Sequence, residues 1–499
     1  MAHILAAEYE LLGGDTPEDE ATEHAFRTAP VFTGDALNAL GANVLPQRAV
    51  YGRVLSQSAD GFPSHPASPI LYINTNTPFS GLVCGLQGTG KSHSTSVLLE
   101  SCLMADPRLG TLPEPLSALV FHFDTAAGGG NVQPCEAAYL SALHVRRGGN
   151  VAAPSVTVLV LPSNIQAMRE VYAELPAVKV KPLHFSPEDI NGERLLAMMK
   201  VDENGQIPLY MEAVMSLLRD TEGPFDYNKF REDLKAQPLN GTQRTMLNLR
   251  LSLLDSCLKG GSAENRVTVH FRKGQLTIID LSSPFMDGSS ACGFFDLILG
   301  LFIQADIKPS GKVVVLDEAH KYLSDAQSGT SSRLTQSLLT IIRQQRHLAT
   351  RVIISTQEPT VVPSKFIALC SFIIAHRFQS PEWLRLLTKH VSVPNNSFDE
   401  LFSRVRIPLP LHDRISQTAR TAHVPPHRPS SHVRHQRHRR PGEPKSRVGP
   451  RGRRHARRGT VWRGVPPRPV PLACDARRRP LHPCGARPSA YHPRRARWS

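Results

Sequence analysis

The 499-residue sequence predicts an α/β fold, a mostly parallel sheet covered by helices on both faces. Three observations predict it. Short apolar runs end in polar or acidic residues, amphipathic segments of helical period alternate with them, and a glycine-rich segment is wedged between the first such run and the first such helix. Buried parallel strands read as near-continuous apolar runs because both faces are covered, and ligands collect at their carboxyl ends.

Residues 1–68 form a weakly patterned lead-in, interrupted by Pro17, Pro30, Pro46, Pro63 and Pro66, and a short strand is expected at Leu71-Tyr72-Ile73. A first core part spans 69–184. In it Phe79 to Cys84 is a buried strand, and Ser94 to Met104 places Val97, Leu98, Leu99 and Leu103 at helical spacing. Between them stands Gly85-Leu86-Gln87-Gly88-Thr89-Gly90-Lys91-Ser92, the G-x-x-x-x-G-K-[ST] pattern of a nucleotide-binding P-loop, with His93 beside it. Glycines let successive N–H groups point at phosphate oxygens, and the following helix adds positive potential there. Lys91 would reach the β- and γ-phosphates of ATP, and Ser92 would bind Mg²⁺. The fold class is therefore that of a P-loop NTPase.

Leu116 to Asp124 is the next buried strand, closing on an acid, and Val156 to Leu161 another. Residues 185–262 lack β runs and read as a helical insertion, with amphipathic stretches at Arg194–Met199, Met211–Leu218 and Gln243–Leu258. In the second core part, 263–410, strands are expected at Val267–Phe271, Leu276–Leu281 and Lys312–Leu316, with a helix near Gly293–Ala305. A helix follows from Arg333 to His347, then the strand Arg351–Ser355 and the apolar runs Phe366–Cys370 and Ser371–Ala375. Val313-Val314-Val315-Leu316-Asp317-Glu318 ends in two carboxylates, suited to a partner for the P-loop: Asp317 would hold Mg²⁺ and Glu318 polarise the attacking water.

Residues 411–499 are an Arg/Pro/His-rich low-complexity tail, expected to be disordered. It holds 22 arginines, one lysine and three acids, a charge of +20 against +15 for the whole chain, which leaves −5 for residues 1–410. The high isoelectric point thus belongs to the tail, and the body has no global basic footprint for nucleic acid. Two readings of the tail stay open: an arginine-rich nucleic-acid arm, or GC-rich coding sequence read out of frame through a frameshift or missed splice site. Eight cysteines are scattered without C-x-x-C or other ligand spacing, so spacing supports neither a disulfide framework nor a zinc site. The acid-rich start does not read as a secretory signal, and Cys292–Ile303, the longest apolar stretch, is too short to cross a bilayer. Cytoplasm or nucleus, without a membrane partner, is the expected setting.

At this point the residues resemble a family. Asp317-Glu318-Ala319-His320-Lys321-Tyr322-Leu323, Arg343-Gln344-Gln345-Arg346-His347 and Ile354-Ser355-Thr356-Gln357-Glu358-Pro359 are similar to the Walker B, arginine-bearing helix and Thr-Gln-x-Pro segments of FtsK/HerA-type ATPases. Lys273 to Leu281 is similar to the strand before Walker B in that family. The resemblance spans about 70–400 and implies an additional-strand P-loop fold, ATP hydrolysis between the subunits of a homo-hexameric ring, and movement of double-stranded DNA through its pore. It makes Gln357 the γ-phosphate sensor or water-orienting residue, and Arg343 or Arg346 an arginine finger in a neighbour's site, where ordinary solvated arginines are the alternative. Asp124 resembles a strand-end acid of the family, with a cap as its plainer role. The first 70 residues are too short for the N-terminal β-barrel usual in such translocases. A nucleotide-binding scaffold or switch with little turnover and no DNA translocation is the alternative function.

Overall fold

The computed structural model describes residues 27–390 apart from 42–47, 55–56, 60–61, 65, 107–111, 113, 125–131, 143–150, 199–208, 222, 259–264, 285 and 324–328. The tail at 411–499 and the end of the second core part at 391–410 lie outside the described residues. In the lead-in, β1 (Val31–Thr33) and β2 (Ala49–Arg53) are followed by β3 (Gln57–Ala59) and β4 (Phe62–Ser64), which pair as an antiparallel ribbon. Next comes β5 (Ile70–Ile73), which pairs antiparallel with both β1 and β2. The expected strand at Leu71–Ile73 therefore belongs to this small sheet and not to the main one.

The main sheet is built from β6 (Ser80–Cys84), β7 (Ser117–His122), β8 (Ser155–Val160), β9 (Lys179–Pro182), β10 (Gln275–Asp280), β11 (Lys312–Leu316), β12 (Thr350–Thr356) and β13 (Phe372–Ala375). They lie in the order β13-β6-β12-β11-β7-β10-β8-β9, each neighbouring pair parallel. β12 thus sits between the strand feeding the glycine-rich loop and the strand ending in Asp317, the additional-strand order that the resemblance implies.

Period-2 alternation gives the sheet two apolar faces. Val83, Ala118, Val120, Val313 and Val315 point to the face covered by the helices Lys91–Leu103 and Ile165–Val171, through Leu98, Leu99, Cys102 and Met168. Leu82, Leu119, Phe121, Val314 and Leu316 point to the other face. There the helices Gly288–Gln304 and Gly329–Arg343 pack through Phe294, Phe295, Phe302, Leu334 and Leu338. Each such side chain contributes roughly 1.5–3 kcal/mol by leaving water, so a polar substitution in β7 or β11 is costly. Between β9 and β10 run the helices Gly192–Met198, Leu209–Arg219, Tyr227–Ala236 and Gly241–Leu258, which bury Leu195, Met211, Phe230 and Leu251 against the second face.

One expected strand is absent. Val267–His270 is a 3-10 turn, and Val267, His270 and the following Phe271 are buried without ladder pairing of their own. β10 already has β7 and β8 on its two sides, and the turn at Gly274 follows too closely for this run to extend beside it. The apolar run at Phe366–Cys370 lies mostly in the helix Ser364–Leu369, with Phe366 and Ile367 turned inward. No helix among the described residues is long and apolar enough to cross a membrane.

Candidate nucleotide site

β6 is buried along its whole length and delivers the chain to the carboxyl edge of the sheet, where Gly85–Ser92 turns back into the helix Lys91–Leu103. Two glycines are required there. Gly85 has φ +151°, and a Cβ on it would stand 2.6 Å from the Cβ of His376, while Gly90 at φ +104° opens the helix. The loop is held from behind by the chain that leaves β13. His376 N–H donates to the Cys84 carbonyl at 2.7 Å, and Leu86 N–H donates to the Arg377 carbonyl at 3.1 Å. His376 Nε2 also meets Ser94 Oγ at 2.9 Å, and that hydroxyl accepts from Tyr51 Oη at 2.9 Å. Burial, reinforced by Lys91, holds His376 below the ordinary histidine pKa.

Lys91 is buried at the start of the helix, its Nζ donating to the Leu86 carbonyl at 3.2 Å. Thr89 Oγ1 donates to the same carbonyl at 2.6 Å. Burial lowers the Lys91 pKa, and the carboxylates of Glu318 and Asp317 oppose that shift. They come from the end of β11, where Asp317 N–H donates to the Phe121 carbonyl at 2.9 Å and its side-chain Oδ2 pairs with His122 Nδ1 at 3.0 Å. Burial alone would raise the Asp317 pKa. The hydrogen bond and charge of His122, with Lys321 adding to them, outweigh burial and hold Asp317 below its usual value. His122 is buried too, which disfavours its charge, yet Cys135, Asp280 and the bonded Asp317 together hold it well above the ordinary histidine value.

Glu318 adopts φ 49° and ψ 43°, a left-handed conformation that costs a β-carbon residue on the order of 1–2 kcal/mol. Two consecutive strand residues would point to opposite faces. The turn at Glu318 instead brings both carboxylates to one pocket of about 560 Å³. Gln357, immediately after β12, donates its Nε2 to both Glu318 oxygens at 2.8 Å. His320 Nδ1 stands 3.4 Å from Glu318 Oε2 and accepts from Gln357 N–H at 3.4 Å; burial lowers its pKa, and the Glu318 carboxylate opposes that shift.

Of the residues singled out in the sequence, Gln87, Ser92, His93, Asp317, Glu318, Gln357 and Asp124 line this pocket. Asp124 pairs with Lys321 at 2.9 Å. Gly85, Leu86, Gly88, Thr89 and Gly90 shape the loop behind it. Arg343 and Arg346 are not brought there. The first ends the helix Gly329–Arg343 and the second lies in the turn before β12, so both are exposed at the amino edge of the sheet, opposite the pocket. Sequence reading missed His122, Cys135 and His376. His122 lies at the end of the buried β7 run, two residues before Asp124, and a histidine at the carboxyl end of such a strand is its signal in the sequence.

The donor chemistry fits the groups that the motif implies. The Ser92 hydroxyl and the Asp317 carboxylate are hard oxygen donors in one pocket, as Mg²⁺ requires, and a left-handed glycine loop beside a buried lysine suits phosphate.

No family model matches the chain, and no curated protein matches it. Among solved structures it is similar to VirB4 of Thermoanaerobacter pseudethanolicus, at 12% identity over 70% of this chain and 90% of that one, with a TM-score of 0.37.

Proposed function

We propose that the chain is an Mg²⁺-dependent ATPase of FtsK/HerA type, a motor that acts on double-stranded DNA as a homo-hexameric ring. The observation that carries the ATPase reading is the convergence of Ser92, Asp317, Glu318 and Gln357 on the pocket beside buried Lys91. The loop N–H groups and Lys91 would hold the phosphates of ATP, and Ser92 and Asp317 the Mg²⁺, which when bound neutralises phosphate charge. Glu318 is the base that accepts the proton of the attacking water, and Gln357 sets the direction in which its carboxylate faces. The motor part of the reading is supported by the order of the motifs along the chain, and the exposure of Arg343 and Arg346 suits service in a neighbouring subunit's pocket.

The test is ATP turnover by the purified full chain, with and without double-stranded DNA, using Lys91→Ala as the blank. Glu318→Gln is expected to lower turnover by roughly 10²- to 10⁴-fold while ATP remains bound. Wild-type turnover no higher than the blank removes the enzyme. One observation favours the alternative, a nucleotide-binding scaffold or switch: Gln357 engages both Glu318 oxygens, a resting arrangement for the base. Light scattering separates the two, since the motor forms a nucleotide-dependent hexamer and responds to DNA, whereas the switch does neither.

A further inference from the structure

Behind Asp317 lie two side chains, His122 and Cys135, that the proposed hydrolysis does not use, and together with Asp317 they form a cluster. His122, Cys135 and Asp317 each offer one ligand atom, and the three atoms lie within 4.8 Å of one another. His122 Nδ1 is 3.0 Å and Cys135 Sγ 3.9 Å from Asp317 Oδ2. Tetrahedral zinc, with bonds of about 2.0–2.3 Å, sets its ligand atoms roughly 3.3–3.7 Å apart, so small side-chain adjustments suffice. The second ring nitrogen, His122 Nε2, is buried and has no hydrogen-bond partner among the described residues, in a residue only 7% exposed. Cys135 is held in place by its surroundings. Its N–H donates to Tyr172 Oη at 3.0 Å, and that hydroxyl donates to Asp280 Oδ2 at 2.6 Å, the outer support that metal ligands commonly have.

We propose that His122, Cys135 and Asp317 form a binding site for Zn²⁺ whose occupation shuts the neighbouring nucleotide pocket. A nitrogen, sulfur and oxygen set favours a borderline-soft transition metal over Mg²⁺. Three protein ligands leave a fourth position, and it faces the pocket because His122 and Asp317 both line it. Binding releases the Cys135 thiol proton to solvent. Zinc and magnesium then compete for the Asp317 carboxylate. That competition rests on the ATPase reading, whereas the site itself rests only on the cluster.

The full chain, freed of metal, is titrated with Co²⁺ and the thiolate-to-cobalt charge-transfer absorption is followed, then back-titrated with Zn²⁺. The expected result is an absorption band that Zn²⁺ bleaches and that Cys135→Ser abolishes, with zinc affinity weakened on the order of 10- to 100-fold. His122→Asn, a second variant, loses the same band, and circular dichroism checks that both fold. In wild type, Zn²⁺ inhibits ATP turnover and added Mg²⁺ relieves it; Cys135→Ser keeps the Mg²⁺-supported turnover and needs at least about tenfold more Zn²⁺ for inhibition. No band, or a band unchanged in both variants and so belonging to cysteines elsewhere, overturns the site. Equal zinc inhibition in wild type and Cys135→Ser overturns its control of the pocket. A band lost in both variants, in a protein without ATP turnover, keeps the zinc site and removes the enzyme instead.

Discussion

The main sheet buries a cation at each of its two edges and treats them in opposite ways. Lys91 at the carboxyl edge and Arg351 at the amino edge are each 4% exposed. Arg351 donates to the carbonyls of Ala349, Thr75 and Asn76 at 2.8, 2.9 and 2.8 Å, tying the start of β12 to the turn before β6. Lys91 makes one bond, to the Leu86 carbonyl of its own loop at 3.2 Å, and lies within electrostatic reach of the Glu318 and Asp317 carboxylates. Burial of charge alone does not separate structure from function. What separates them is where the donors go: Arg351 ties two distant segments together through three carbonyls, whereas Lys91 makes a single bond within its own loop, near two carboxylates.

Reciprocal substitutions test this contrast most strongly. Arg351→Ala removes the donor shared by the Thr75 and Asn76 carbonyls and is expected to cost about 2–4 kcal/mol in urea unfolding, while the folded fraction keeps its ATP turnover. Lys91→Ala is expected to do the reverse, abolishing turnover with stability changed by about 1 kcal/mol or less. Comparable stability losses in the two variants break the comparison.

A second buried group, His270, sharpens it. Burial, with the Lys181 and Arg272 cations adding to it, pushes His270 from 6.5 down to about 4, so it is neutral when folded. The unfolded chain takes up a proton below pH 6.5, so stability is complete above that value and is lost as pH falls toward about 4. The loss by about pH 5 is on the order of 2 kcal/mol, and His270→Asn should remove it when urea midpoints at neutral and acid pH are compared. An unchanged pH slope in the variant assigns the acid sensitivity to other groups. The smallest effect belongs to Gln357→Ala, which frees the Glu318 carboxylate without removing it. Turnover should fall about tenfold, or about 1.4 kcal/mol in the barrier, with ATP affinity unchanged. A loss of affinity equal to the loss of rate contradicts a positioning role.

What was legible in the sequence was what local chemistry encodes. Gly85–Ser92 and Val313–Glu318 announce themselves because backbone freedom, apolar runs and charge are arranged within a few residues. Val267–Phe271 misled because alternation marks only which residues face inward, and a 3-10 turn buries Val267 and His270 as well as a strand would. The pairing of His122 with Asp317 joins residues 195 apart, and no short window carries that information. The same holds for Cys135, which reads as one more scattered small apolar residue until Tyr172 and Asp280 fix its place.

The clasp of His376 behind the glycine loop also puts a clock on biosynthesis. Ser94 meets its partner only after another 282 residues have been added, and β12, the immediate neighbour of β6, also comes late in the chain. At about 5–20 residues per second the ribosome needs roughly 15–60 s for that stretch. Throughout that interval the nascent chain carries the glycine-rich motif without the His376 clasp behind it, so the wall of the loop arrives near the end of the described residues and not with the motif itself.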